Sequence, residues 1–303
     1  MDWIVAKRGF QAYLLLERSL SVNTIEAYLD DVRKLLVFFH EKKPNLEAKD
    51  LSYQTLLEFT EWLEPQGLGA RSQARILSGI RAFFHYLLLE NMIDTDPTEL
   101  LEGPKIPHKM PTVLSLTEVE AILNAIDLSE ELGQRNRAMI ETLYACGLRV
   151  SELTGLRISN VFFDDSFIKV TGKNDKERLV PIGASALKHI KLYLEGVRRP
   201  LLQVQKGHED ILFLNRFGRR ISRVSVFNII KTTVEAAGIT KTVSPHTFRH
   251  SFATHLVAGG ADLRAVQDML GHESITTTEI YAHLDTSFLR ETVLAYHPLN
   301  RFK

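Results

Sequence analysis

The stretch SPHTFRHSFATHL, residues 244–256, brings together side chains that can bind a phosphate or a metal ion. Ser244 can cap a helix and Pro245 suits its first turn, where the missing N–H of proline costs nothing. His246 and Arg249 then share a face at the helix start, where free N–H groups and a partial positive charge favour anions. The pattern predicts a phosphate site.

Two other interpretations of this stretch stay open. A helical zinc motif such as H-E-x-x-H needs an acidic or thiol partner, but Thr, Phe and Arg lie between His246 and His250. An arginine beside a divalent cation is also electrostatically unfavourable. The alternative is a packed helix with purely structural polar residues, and we assign no chemistry to His250 or His255.

A second arginine lies in the stretch YACGLRVSEL, residues 144–153. Gly147 is typical of a helix end and VSEL of a new helix start, so Arg149 is expected in a tight connection between two helices. Its apolar neighbours favour a buried position at a site. The alternative is a structural arginine that pairs with Glu152 or caps carbonyl groups.

Three more candidates stand on turns and helix ends. The stretch SFIKVTGKNDKERLVPI, residues 166–182, predicts a β-hairpin whose turn carries Lys173 and Lys176. His272 follows the end of a predicted helix, and Tyr281 comes nine residues later. Taken singly, each of these residues is more typical of a solvated surface than of a site.

As a set, two arginines, two histidines, one of the lysines and the tyrosine match metal-free phosphoryl transfer through a tyrosyl ester. Guanidinium groups stabilise the negative charge that builds on the non-bridging phosphate oxygens. A lysine or a histidine can protonate the departing oxygen. A tyrosine, with an ordinary pKa of about 10, can attack phosphorus when its neighbours help it to ionise.

The elements that must position these residues fall into two parts. The proline-rich stretch EGPKIPHKMPTVLS, residues 102–115, predicts an extended connector. We therefore expect a helical domain at 1–104 and a catalytic domain at 105–303. Helical periodicity such as that of residues 22–41 predicts a bundle of about four helices in the first domain. The expected fold class is mainly α, with a small β-sheet in the C-terminal domain.

Helices of the second part are predicted from the same periodicity. The first of them, LTEVEAILNAI, is expected to carry a capping box formed by Thr117 and Glu120. The predicted ranges are 116–126, 134–146, 184–199, 222–237, 245–258 and 262–270.

Composition limits the class of protein further. With 45% hydrophobic and 24% charged residues, the chain has the balance of a soluble globular protein. The single cysteine, Cys146, excludes an internal disulfide and suits a reducing cytoplasm. No stretch resembles a signal peptide or approaches the roughly 18 apolar residues of a membrane span. We expect a cytoplasmic protein with no membrane partner.

Charge is distributed unevenly along the chain. Residues 1–100 carry 11 basic and 15 acidic side chains, whereas residues 101–303 carry 26 and 22. The mildly basic second part favours a polyanionic partner only slightly, since an ordinary mixed surface has a similar balance.

With these motifs in view, the sequence resembles the tyrosine recombinases of the phage integrase family, and in particular the bacterial Xer recombinases. The stretch LERSLSVNTIEAYLDDVRKL, residues 16–35, resembles the DNA-clamping domain of Xer proteins. The other matching segments occur in the family's order and spacing: ACGLRVSEL, 145–153; GKNDKERLVP, 172–181; HTFRHSFATHL, 246–256; LGH, 270–272; TTTEIYAH, 276–283.

The resemblance implies a role for each candidate residue. Arg149 and Arg249 would hold the scissile phosphate, and His272 would donate a hydrogen bond to it. Tyr281 would be the nucleophile that forms a 3′-phosphotyrosyl bond. The implied reaction is site-specific DNA recombination through a Holliday junction, and it requires no metal, ATP or other cofactor.

Proton transfer is implied for two further residues. Lys173 would act as general acid toward the 5′-oxygen, and His246 would assist. Xer hairpins commonly read G-K-G, whereas Asn174 follows the lysine here. Asparagine tolerates a positive φ, so the turn can be kept, with Lys176 as the alternative lysine.

The resemblance also implies the architecture and the partners. A SAM-like core-binding domain and a tyrosine-recombinase catalytic domain would close around double-stranded DNA. Four subunits, of one or two kinds, would assemble on the site by exchanging a C-terminal helix within residues 287–303. The alternative is that this helix packs on its own domain. A paralogous recombinase and a DNA translocase are further expected partners.

Several activities fit the same chemistry. Chromosome or plasmid dimer resolution is the first expectation, and integration or inversion of a mobile element is the alternative. A type IB topoisomerase would share the tyrosine and arginine chemistry but would rejoin the same strand. A DNA-binding module without catalysis and a metal hydrolase built on the histidines are the interpretations from other classes.

Overall fold

The computed structural model describes residues 2–44, 46, 51–105, 112–172, 176–201, 203–271 and 286–300. The chain divides into two compact units, Met1–Lys109 and Met110–Lys303. The middle of the proline-rich connector, residues 106–111, lies outside the described residues. Within the described ranges, none of the helices combines the length and the hydropathy that a transmembrane span requires.

The described part of the first unit contains four α-helices, as the sequence predicted. They are α1 Trp3–Leu16, α2 Val22–Lys42, α3 Tyr53–Leu63 and α4 Ala70–Leu89. Ser21 caps α2 by accepting the N–H of Thr24 at 3.3 Å, and Ser52 caps α3 in the same way. The caps end the connecting turns, so that the apolar stripes of the helices face one another.

Aromatic side chains fill the core of the first unit. Phe10, Phe38, Phe59, Phe83 and Phe84 are all at most 2% exposed. The rings of Phe10 and Phe83 meet edge to face with centroids 5.2 Å apart, which joins α1 to α4.

The second unit begins with α5, Leu116–Asn124, and its cap differs from the prediction. Ser115 is the N-cap: its Oγ accepts the N–H of Glu118 at 3.2 Å, and the Glu118 carboxylate accepts the N–H of Ser115 at 2.7 Å. The predicted box of Thr117 and Glu120 is therefore wrong by two residues. The stretch contains two overlapping Ser/Thr-x-x-Glu patterns, and local sequence does not distinguish them.

The remaining elements of the second unit place a small sheet among helices, as predicted. The helices are α6 Gly133–Ala145, α7 Val150–Gly155, α8 Ala184–Tyr193, α9 Arg199–Leu201, α10 Arg223–Ala236, α11 Pro245–Gly259, α12 Leu263–Leu270 and α13 Thr286–Tyr296. The strands are β1 Val161–Phe162, β2 Phe167–Thr171 and β3 Glu177–Pro181. A π-helical segment, Leu194–Arg198, interrupts the single helix predicted at 184–199.

The sheet is antiparallel with strand order β1-β2-β3. Val170 pairs with Arg178 and Thr171 with Glu177, so the predicted hairpin is confirmed. Its turn, residues 173–175, lies outside the described residues.

Helix α11 lies at the centre of the second core. Its apolar stripe, Phe248, Phe252 and Leu256, is fully buried. Gly147 follows α6 with φ +56°, and a Cβ there would lie 2.4 Å from the ring of Phe252. Glycine is required at this turn both for the left-handed backbone and for the close approach of α11.

Helix α13 packs on its own unit in the single chain. The side chains of Thr292, Val293 and His297 are at most 4% exposed. The His297 ring lies against Tyr144, with centroids 5.0 Å apart, and against Phe252 at 5.6 Å. This is the packing that the alternative interpretation of the C-terminal segment predicted.

His297 is buried in its neutral form. Its Nε2 atom has no hydrogen-bond partner among the described residues, although the atom is buried. Burial, with a smaller contribution from His255, lowers the pKa of His297 to about 3. A hydrogen bond of 2.7 Å joins Nδ1 of the neighbouring His255 to the Tyr144 hydroxyl.

We expect mild acid to destabilise this end of the molecule. The folded pKa lies below the ordinary value of 6.5, so the unfolded chain binds the proton more readily. The stability contributed by neutral His297 is complete above pH 6.5 and is lost as pH falls toward 3, by about 1.4 kcal/mol per pH unit. The fall in melting temperature from pH 7.5 to pH 5 should therefore be smaller for His297→Phe than for wild type. The melting temperature of His40→Phe, a variant at an exposed position of α2, should fall as much as that of wild type. Equal falls in all three proteins would contradict the prediction.

Candidate active site

Arg249 lies on α11 and connects two helix ends that are distant in sequence. Its Nη1 donates to the carbonyl of Gly147 at 2.7 Å, and its Nη2 donates to the carbonyl of Leu270 at 2.6 Å. The side chain is buried, with 8% of the residue exposed. Burial, and then the nearby Arg149, lower its pKa to about 10, so it keeps its charge at neutral pH.

Arg149 occupies the N-cap position of α7, in the tight connection predicted from the sequence. Its Nη1 donates to Glu152 at 2.9 Å, and its Nη2 donates to the carbonyl of Gly271 at 3.2 Å. These are the contacts expected of a structural arginine. About a third of the side chain, 36%, remains exposed, so it is still accessible to a ligand.

The two arginines come together at the end of α12. Arg249 binds the carbonyl of Leu270 and Arg149 binds that of Gly271, the next residue. Two guanidinium groups on consecutive carbonyls form a concentrated positive charge, which favours a bound anion.

Glu152 and Arg178 complete this cluster. The sequence named Glu152 only as the partner of a structural Arg149, and it did not single out Arg178. Arg178 donates from Nη1 and Nη2 to the two carboxylate oxygens of Glu152, at 2.8 and 2.9 Å. Its Nε donates to the carbonyl of Met269 at 2.8 Å. Both residues are 6% exposed. The available signal was strand alternation, because Arg178 shares the buried face of β3 with Val180.

The Glu152 carboxylate is ionised despite its burial. Burial by itself opposes ionisation, but the hydrogen bonds and charges of Arg178 and Arg149 outweigh it and hold the pKa of Glu152 below its ordinary value. One carboxylate therefore orients two arginines, and it leaves the cluster of Arg149, Arg178 and Arg249 with excess positive charge.

An open cavity of about 460 Å³ lies beside Arg249 at the start of α11. Its lining consists of Thr112, His246, Thr247, Arg249, His250, Ala253 and Leu270. His246 is exposed in the first turn, where Ser244 caps the helix by accepting the N–H of Thr247 at 3.4 Å. The predicted combination of helix start, His246 and Arg249 is thus present around one cavity.

Three of the six predicted site residues lie outside the described residues: Lys173, His272 and Tyr281. The residues that directly precede two of them are nevertheless described. Gly271, which precedes His272, has its carbonyl bound by Arg149. A Cβ added to Gly172, which precedes Lys173, would lie 3.7 Å from both the Glu152 carboxylate and the Arg178 guanidinium.

His250 and His255, to which the sequence assigned no chemistry, lie among other side chains of the second unit. His255 contacts the Tyr144 hydroxyl, and His250 is half-buried at the cavity. Lys176, the alternative lysine, is exposed, and its carbonyl accepts the N–H of Gly172 at 2.7 Å. Among the described residues, no group of three or more His, Cys, Asp or Glu is arranged to hold a metal ion.

Comparison with known proteins gives a consistent result. Residues 112–287 match the phage integrase family, and residues 8–91 match the phage integrase N-terminal SAM-like domain. Tyrosine recombinase XerD of Chlorobaculum tepidum is 42% identical over 299 residues, which are 98% of this chain and 97% of the relative. XerD of Listeria monocytogenes is 40% identical over 289 residues, 95% of this chain and 97% of the relative.

A solved structure is similar over both units. The crystal structure of the XerH site-specific recombinase bound to palindromic difH substrate, a post-cleavage complex, is 27% identical, with a TM-score of 0.71. The match covers 91% of this chain and 81% of that chain. The chain therefore belongs to the phage integrase family. Within the family it is a tyrosine recombinase of the Xer type, an enzyme of site-specific recombination. The resemblance and the mainly helical fold class are thereby confirmed.

Proposed function

We propose that this recombinase cuts and rejoins double-stranded DNA through a 3′-phosphotyrosyl bond on Tyr281. The observation that carries the proposal is the pair of arginines on consecutive carbonyls, one of which, Arg249, lines a cavity together with His246. Arg149 and Arg249 would hold the scissile phosphate there. His272 follows the carbonyl that Arg149 binds, and it would donate a further hydrogen bond to the phosphate.

The proposed reaction conserves the number of phosphodiester bonds. The Tyr281 oxygen attacks phosphorus, and the bond to the 5′-oxygen breaks. The leaving oxygen takes a proton from Lys173, with Lys176 as the alternative donor, and His246 assists the transfer. The 5′-hydroxyl of a partner strand then attacks the phosphotyrosine and releases Tyr281. Because bond energy is kept in the ester, ATP hydrolysis is unnecessary.

The arginines supply the electrostatic part of this catalysis. Negative charge on the non-bridging oxygens rises in the transition state, and guanidinium N–H groups fixed in advance stabilise it without reorganisation. Glu152 and the carbonyls of Gly147, Leu270 and Gly271 fix the guanidinium groups.

The assembly that we propose uses both parts of the chain. Residues 1–104 would clamp the DNA, residues 105–303 would carry the chemistry, and four subunits would act together through a Holliday junction. Helix α13 would then leave its own unit and occupy the equivalent surface of a neighbour, which closes a ring when each subunit donates one helix. The subunits would be identical or come from a paralogous pair.

The cellular role that we propose is resolution of chromosome or plasmid dimers in the cytoplasm, with a DNA translocase as a candidate activator. The identity of about 40% to XerD proteins over nearly the whole chain supports this role over integration or inversion of a mobile element.

Trapping the covalent intermediate tests the chemistry. We would incubate the protein in EDTA with duplex DNA that carries the host's candidate chromosomal recombination site. A nick beside the cleavage position makes the 5′-hydroxyl product a short fragment, which dissociates and so prevents religation. A denaturing gel should show a covalent adduct, and mass spectrometry of its proteolytic fragments should locate the nucleotide on Tyr281. Attachment at another residue, or an adduct that forms only with added metal, would overturn the proposal. Relaxation of plasmids that lack the site would instead favour a topoisomerase.

A further inference from the structure

A second arginine–carboxylate arrangement lies in the first unit, between α2 and α4. Asp31 on α2 is completely buried. Arg75 on α4 donates to it through two hydrogen bonds, Nη1 to Oδ2 at 2.9 Å and Nη2 to Oδ1 at 2.6 Å. The Arg75 side chain is 47% exposed, so this pair connects the interior to the surface.

The space for the carboxylate depends on Gly79, one turn after Arg75. A Cβ at Gly79 would lie 2.5 Å from Asp31 Oδ2, so any other residue would displace the carboxylate or the helix. Burial raises the pKa of Asp31, although Arg75 opposes the shift. A buried ion pair of this kind contributes little net stability, because apolar residues of the same volume are often as stable. Its geometry, rather than its energy, calls for an explanation.

The helix that carries Arg75 is basic. Helix α4, with the sequence ARSQARILSGIRAFFHYLLL, contains no aspartate or glutamate, although residues 1–100 as a whole have more acidic than basic side chains. Arg71, Arg75, Ser78 and His85 follow one another at intervals of four, three and seven residues, which place them on one face of the helix, and all four are exposed. An acid-free basic helix face in an acidic domain is suited to a polyanion.

The bidentate pair leaves Arg75 able to bind a second anion. A guanidinium group has five N–H donors, and Asp31 uses two of them. The remaining donors lie on a group whose side-chain torsions the pair already restricts, which reduces the entropy lost on binding. We propose that Asp31 is a positioning residue that holds the Arg75 guanidinium on the exposed face of α4 to bind a backbone phosphate of the DNA site. This inference rests on the proposed DNA substrate.

If the pair of Asp31 and Arg75 is purely structural, the change in DNA affinity caused by Asp31→Asn has the opposite sign to the one that a positioning role predicts. Removing a carboxylate near DNA lowers repulsion, so the folded variant would bind as tightly as wild type or more tightly. A positioning role predicts weaker binding instead. Asp30 is the matched control, because it is the adjacent residue on α2 and its ion pairs among the described residues are with the neighbouring side chains Arg33 and Lys34.

The experiment measures the affinity of full-length protein for the recombination-site duplex in about 0.1 M salt, below all melting temperatures. We expect Asp31→Asn to weaken binding roughly 3- to 10-fold, the size of one net hydrogen bond. Asp30→Asn should bind as tightly as wild type or more tightly. The double variant Asp31→Asn with Arg75→Gln should bind within about twofold of Asp31→Asn alone, because the two side chains act as one unit.

Two results would overturn the inference. Binding by Asp31→Asn that is as tight as wild type would make the pair structural. A large further loss in the double variant would show that Arg75 binds DNA without Asp31. If Asp31→Asn does not fold, Asp31→Leu fills the same space without charge, and the same expectations apply. Failure of wild type to bind the duplex would instead contradict the proposed function itself.

Discussion

Replacing Arg249 by lysine should slow formation of the covalent DNA adduct by roughly 100- to 1000-fold, the usual effect of losing one donor to a transition-state oxyanion. The planar guanidinium spans the carbonyls of Gly147 and Leu270 at 2.7 and 2.6 Å. A single ammonium group cannot bind both carbonyls and also reach a phosphate. The same burial that lowers the pKa of Arg249 would also lower that of a lysine and remove part of its charge.

Single-turnover adduct formation at saturating protein concentration measures this effect apart from DNA affinity. Arg198→Lys is the matched control. Arg198 is also buried, at 7% exposure, and its Nη2 donates to the carbonyls of Glu209 and Ile211 at 2.6 and 3.0 Å, but it does not line the cavity. We expect this control to lower the melting temperature and to keep nearly the wild-type adduct rate. Equal slowing in the two variants would show that Arg249 acts only through stability.

Local sequence was sufficient for most of the elements around the site. The caps and periodicity of α2 and α11 and the alternation of the hairpin depend on residues a few positions apart. The predicted tight connection at Arg149 has the same origin, because Gly147 ends one helix where the next begins. The π-helical segment 194–198 had no such local signal, and periodicity extended the helix through it.

The pairing of Arg149 with Glu152, three residues away, was open to prediction in this way, but the partners of the site residues that are distant in sequence were not. Arg249 binds carbonyls 102 and 21 residues away, and Arg178 binds a carboxylate 26 residues away. These distances along the chain are bridged by the packing of α6, α11 and α12, which no local pattern encodes. The residue types of the site therefore came from the sequence, whereas the role of Glu152 as their common anchor required the structure.

Glu152→Gln should cost about 3 to 5 kcal/mol of stability, the range for breaking a buried ion pair by removing one partner. The carboxylate accepts four hydrogen bonds, two from Arg178 and two from the backbone and side chain of Arg149. A glutamine has one oxygen to accept them, and its amide nitrogen faces donors. Arg178, 6% exposed, would keep a buried charge without a counter-charge. Denaturant unfolding measures the loss.

Glu118→Gln is the matched control for this prediction. Glu118 occupies the same third position of a capping box, at the start of α5, but it is 25% exposed and pairs with Lys241 near the surface. We expect it to cost no more than about 1 kcal/mol. Because Arg149 depends on Glu152, only Glu152→Gln should also slow adduct formation at a temperature where both variants are folded. A similar loss of stability in the two variants would mean that Glu152 acts as an ordinary helix cap.

The pH dependence of stability in wild type and Glu152→Gln distinguishes the loss of negative charge from the loss of an accepting oxygen. The folded pKa of Glu152 lies below its ordinary value of 4.5, so its contribution to stability is complete above that pH. It is lost as pH falls through the folded pKa, because the carboxylate must then take up a proton. The stability gap between wild type and Glu152→Gln should therefore be constant from pH 7 to about pH 5 and should narrow in stronger acid. A gap that stays constant to pH 3 would show that the arginines respond to the loss of oxygen geometry rather than to the loss of negative charge.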